Sequence, residues 1–149
     1  MDSEKLPIRL LLHRNALLEG TLLLYEEAPN DRNQVLIEIH FNDEQISRMD
    51  DNFFQALQKL RKELERRDIQ IMCNGAAQNV YPSPMQLSMG PGRIAYLLKL
   101  GQKAKIAEII DIFDCQDGLV FVSVEEQETF YKEWEKSKLN INKEGRRIT

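Results

Sequence analysis

The alternation of apolar and polar positions is clearest at 35–41, where Val35, Ile37, Ile39 and Phe41 interleave with Leu36, Glu38 and His40. A period of two marks a half-buried strand. Residues 7–14 alternate more weakly, with Ile8, Leu10 and Leu12 on one face, and 20–25 reads as another strand after a turn-like 15–20. With the Pro29-Asn30-Asp31 turn cluster, these three strands form an antiparallel meander. The period then changes. Phe53, Leu57, Leu60 and Leu64 recur at spacings of four, three and four, with Phe54 and Arg61 flanking them. That spacing predicts an amphipathic helix, with Asp50 and Asp51 as its N-cap and first charges and a basic last turn that suits the helix dipole.

Residues 69–73 and 93–100 read as two further strands, separated by a long irregular stretch from Asn74 to Gly92. Glycine and proline punctuate that stretch, so neither helix nor strand is expected to run through it. Connections this long are uncommon in compact domains. This one carries Val80, Tyr81, Met85, Leu87 and Met89, so it must pack on the domain, a ligand or a partner. Residues 107–113 are β-rich, Asp117-Gly118 is a hairpin-type turn signal, and 119–122 reads as a strand. Ser123 and Glu126 match a capping box, which opens a helix carrying Phe130, Tyr131 and Trp134 on one face. Strand does not alternate with helix, so the expected class is α+β. It is a largely antiparallel sheet of about six or seven strands with two helices on one face. One domain is expected over 1–139, followed by a polar, basic tail over 140–149.

Composition narrows the function classes. The 149 residues are 42% hydrophobic and 30% charged, which is ordinary for a soluble globular chain. No apolar run approaches a membrane span, and no signal-peptide pattern opens the chain, so a cytoplasmic location is expected. The net charge of −4 is uneven: from Glu108 to Glu135 nine acidic residues face one basic, a net of −8. A nucleic-acid binder would need a basic face, whereas an acidic lobe favours basic partners.

Catalytic and ligand motifs are scarce. Cys73 sits where a strand meets a loop, a common place for a nucleophile, but His13 and His40 are the only histidines and neither is placed near it by sequence. Asp111, Asp114 and Cys115 complete no recognised metal spacing. Gly90-Pro91-Gly92 lacks the Lys-Ser/Thr of a phosphate loop and precedes a strand instead of a helix. Two cysteines permit at most one bridge, and free thiols are expected. The chain therefore reads as a non-enzyme with no cofactor and no metal. The residues selected for partner binding are Tyr81, Met85, Met89 and Arg93 in and beside the long loop, and Asp111, Asp114 and Asp117 in the acidic segment. Methionine adapts to irregular surfaces, and Tyr and Arg are favoured interface anchors.

One pattern is familiar: Cys73-Asn74-Gly75, then Val80-Tyr81-Pro82-Ser83-x-Met85, Met89-Gly90-x-Gly92-Arg93-x-x-Tyr96, Asp111-Ile112-Phe113 and Glu126-Gln127-x-x-Phe130-Tyr131-x-x-Trp134. It resembles a group of small uncharacterised bacterial single-domain proteins, similar in size and acidity to the immunity proteins encoded beside polymorphic toxins. The resemblance covers about half the chain. Together with the missing catalytic set, the apolar long loop and the acidic segment, that analogy of size and charge leads to the expectation of a cytoplasmic protein-binding domain that occludes a toxin's active site, with a basic protein partner, no nucleic acid and no membrane. Two other readings stand beside it: a small-molecule enzyme or sensor using Cys73 and the 74–92 loop, and a subunit that forms a homodimer.

Overall fold

The computed structural model describes residues 3–138. The expected α+β class holds, but the strands divide into two antiparallel sheets instead of one. β1 (Glu4–Leu12), β2 (Ala16–Tyr25), β3 (Val35–Phe41), β4 (Glu44–Asp50) and β5 (Ile69–Met72) form the larger, in the order β4-β3-β2-β1-β5. β6 (Val80–Tyr81), β7 (Ile94–Leu97) and β8 (Ile109–Asp111) form the smaller, in chain order.

The meander forms because its alternating residues share one buried face: Ile8 and Leu10, Leu22 and Leu24, Ile37 and Ile39 are all buried. Strand β4 was not legible, since Ile46 is its sole buried residue and the rest of the strand is polar or partly exposed. The turn expected over 15–20 is tighter and earlier. His13 and Arg14 take positive φ, and β2 begins at Ala16.

Helix α1 (Phe53–Arg66) lays Phe53, Phe54, Ala56, Leu57, Leu60 and Leu64 against the larger sheet. Its N-cap is Asn52, not Asp50 or Asp51: the Asn52 side chain accepts the Gln55 N–H at 2.9 Å. Pro91 C=O accepts the Phe53 N–H at 2.6 Å, so the chain itself closes this helix end. Gly92 makes that approach feasible, because it has φ +76° and an added Cβ would lie 2.6 Å from Asn52 Cβ.

The stretch between β5 and β7 is more ordered than expected. It holds a 3₁₀ turn (Asn74–Ala76), β6 and helix α2 (Pro84–Met89). Ser83 and Gln86 form a reciprocal capping box with Pro84 in the first turn of α2. The strand expected over 93–100 shortens to β7, which buries Ala95 and leaves Ile94 exposed. Residues 119–122 form no strand, only an isolated bridge between Phe121 and Ala77. Helix α3 (Val124–Lys138) has the expected box, with Ser123 Oγ accepting the Glu126 N–H and Glu126 accepting the Ser123 N–H. It packs against α1 and β6, so the helices do not share one face of one sheet. The tail over 140–149 lies outside the described residues.

Candidate functional site

An irregular chain inside a core leaves backbone groups to be satisfied by side chains. Two buried residues do this here. Arg61, 1% exposed, donates to Gly75 O at 3.1 Å, Val122 O at 2.8 Å and Gln127 Oε1 at 2.5 Å. Gln127, fully buried, directs its amide nitrogen at Gly75 O, Ala77 O and Val80 O, at 2.8–2.9 Å. The register makes the last contact necessary. Leu98 N–H bonds Asn79 O, so the polar groups of Val80, one residue on, point away from β7. Arg61 is bonded only to neutral oxygens, and burial lowers its pKa from the ordinary value. Sequence reading placed Arg61 beside the helix stripe without a role. Its signal is its position, one residue after Leu60 and four after Leu57.

A second polar bracket sits at the end of β5. Asn74, 2% exposed, donates its backbone N–H to Asp114 O at 2.7 Å and its side-chain amide to Asp111 O at 2.9 Å. Its side-chain oxygen accepts the Gln116 N–H at 2.8 Å. Three bonds from one buried residue thus fix the 111–117 loop. Asp114, Cys115, Gln116 and Asp117 are exposed on it. A groove of about 500 Å³ runs beside the loop, lined among others by Arg9, Glu19, Met72, Phe113, Asp114 and Asp117.

The residues selected from sequence fall into two groups. Tyr81, Arg93 and Asp111 are absorbed by the fold. Tyr81 stacks on Tyr131 with centroids 4.0 Å apart and meets Phe54 edge-on. Arg93 clasps both Glu4 oxygens at 2.6 and 2.8 Å and bonds Asp111 through Nε at 2.9 Å. Its hydrogen bonds, aided by its charge, hold the Glu4 carboxyl below the usual range, and hydrogen bonding to the two acids raises the Arg93 pKa. Asp111 also accepts the Phe113 N–H. Asp114 and Asp117 remain free to meet a partner, as does Met85, which is 67% exposed at the start of α2. Met89 ends α2, and its side chain lies outside the described residues. The loop and the acidic segment, expected as two surfaces, meet through Arg93 and Asp111 at the β7–β8 pairing.

Cys73 is fully buried, and desolvation pushes its thiol up to about 12. The histidines lie elsewhere. His13 pairs with Asp68 beyond the far end of β5, and His40 faces Glu38 on the outer side of β3, three strands away in the sheet. Neither histidine is therefore placed to serve Cys73 as a base. Both cysteines are unbridged. Among the described residues, no group of three or more His, Cys, Asp or Glu side chains converges to hold a metal ion. No helix among them is long and apolar enough to cross a membrane. Compared with known proteins, the chain matches no family model and no curated relative.

Proposed function

We propose that the chain is a protein-binding domain that engages a basic partner through the 111–117 loop, in the manner of an immunity protein that covers the active site of its cognate toxin. The observation that carries this reading is the loop itself: exposed Asp114 and Asp117 on a backbone already fixed by Asn74. A preorganised loop loses little entropy on association, and exposed carboxylates steer a basic surface and speed encounter. A nuclease toxin would offer such a surface, because its cleft is built for phosphates. Arg93 and Asp111 contribute by positioning the loop, and exposed Met85 offers a separate, adaptable apolar contact.

The test is co-expression with the protein encoded next to this chain's gene, reading both growth rescue and co-purification. Rescue with a stoichiometric complex is expected. Asp114→Lys with Asp117→Lys should weaken the complex at least tenfold while the circular dichroism spectrum stays native. A complex that tolerates both reversals, or the absence of any rescue, would sink the reading.

A further inference from the structure

The Asn74 N–H···O Asp114 bond has a consequence for its flanking residues. The Asn74 side chain also accepts the Gln116 N–H at 2.8 Å, so Cys115 lies between two residues held by Asn74. Across one such backbone bond the residue before the donor and the residue after the acceptor come within roughly 4.5–6.5 Å between Cα atoms, because a trans peptide sets the N–H beside the preceding Cα and the C=O beside the following one. Those residues are Cys73 and Cys115. A disulfide needs Cα atoms about 4.4–6.8 Å apart. The sulfurs also sense each other, since Cys115 is among the groups that disfavour a charged Cys73. Access is unequal: Cys115 is exposed, whereas Cys73 is buried where desolvation outweighs the nearby Arg61 charge and pushes its thiol up to about 12.

We propose that Cys73 and Cys115 form a peroxide-responsive pair that closes to a disulfide and ties the acidic loop to the end of β5. Cys115 as thiolate attacks one peroxide oxygen; an S–O bond forms, the O–O bond breaks, and hydroxide leaves. That hydroxide takes the Cys73 proton to give water. The Cys73 sulfur then attacks the sulfenic sulfur, forming S–S as the S–O bond breaks and hydroxide departs, to be neutralised by the proton Cys115 first released. Overall, two thiols and one peroxide give one disulfide and two waters. Cys115 is the sensing thiol because oxidant reaches it. Cys73 resolves it, and the slow step is its deprotonation in the core. Closing the bridge turns Cys115 inward and changes how its neighbours Asp114 and Asp117 are presented. That effect on a partner rests on the proposed function, whereas formation of the bond does not.

The test uses the purified full chain with hydrogen peroxide near equimolar, read by intact mass and by peptide mapping without reductant. The expected product is a monomer lighter by two hydrogens, with peptides containing Cys73 and Cys115 joined, reversed by dithiothreitol. Its rate should not depend on protein concentration. Cys115→Ser should abolish the mass loss, and Cys73→Ala should leave Cys115 to gain oxygen. Oxygen addition at Cys115 in the unaltered chain without an internal bridge, or a Cys115-linked dimer as the main product, would overturn the proposal. The bridge assay tests this pair, and the charge reversals test the partner reading, so each fails separately.

Discussion

Replacing Gln127 by leucine tests the central claim about the core. The side chain is buried and makes four contacts, three from its amide nitrogen and one accepted from Arg61. Leucine fills similar space without them. Gly75 O keeps its bond from Arg61, and Ala77 O keeps only a 3.4 Å contact from the Val80 N–H. Val80 O loses the Gln127 amide, and the Arg61 cation loses an acceptor. A buried polar group left unpaired costs about 1–3 kcal/mol, more when charged. Two carbonyls and one cationic donor therefore put the loss at roughly 3–6 kcal/mol, a large share of the ~5–15 kcal/mol that holds a domain folded. Urea unfolding followed by fluorescence provides the assay, since Trp134 is the single tryptophan and sits in α3 against Tyr131. A loss under about 1 kcal/mol would refute the view that Gln127 satisfies the irregular backbone. Arg61→Met combined with Gln127→Leu should cost less than the sum of the two single changes, because it also removes the buried charge.

Gly75→Ala should destabilise by about 1–3 kcal/mol in the same assay, since its Cβ would lie 2.6 Å from Leu57 Cδ2 and 3.0 Å from Ile112 Cβ. Gly92→Ala should cost about 2 kcal/mol, combining a strained positive φ with displacement of the Asn52 cap; an unchanged midpoint would show that this contact is not needed. The Glu4 carboxyl is held below its ordinary value by Arg93, so its contribution is present above that value and lost as pH falls through the lowered one. Glu4→Gln should therefore lower stability near neutral pH, and the gap from the unaltered chain should close in acid; a gap constant with pH would contradict the ion pair. In the reduced native chain, iodoacetamide should label Cys115 quickly and Cys73 only on unfolding, as their exposures require. Rapid double labelling would refute the burial of Cys73.

Local pattern alone determined the α+β class, the meander, the faces of α1 and the capping box of α3. Each depends on residues close in the chain, so period and cap chemistry suffice. The Ser83–Pro84–Gln86 start of α2 was equally local, yet the surrounding glycines and prolines masked it. Strand β4 escaped because an edge strand beside a helix needs few apolar residues. Tertiary structure decided the rest. Tyr81, Arg93 and Asp111 have the residue types of a binding surface. They are drawn inward by Tyr131, Glu4 and Phe113, partners from 2 to 89 positions away that no period reveals. Arg61 and Gln127 look like surface polar residues until the carbonyls of Gly75, Val80 and Val122 are placed beside them. Asp114 and Asp117 stay exposed because Asn74 bonds the backbone of their loop and leaves their side chains in water. That division is physical: sequence sets which residues are able to bond, and only the fold settles which bonds are already made.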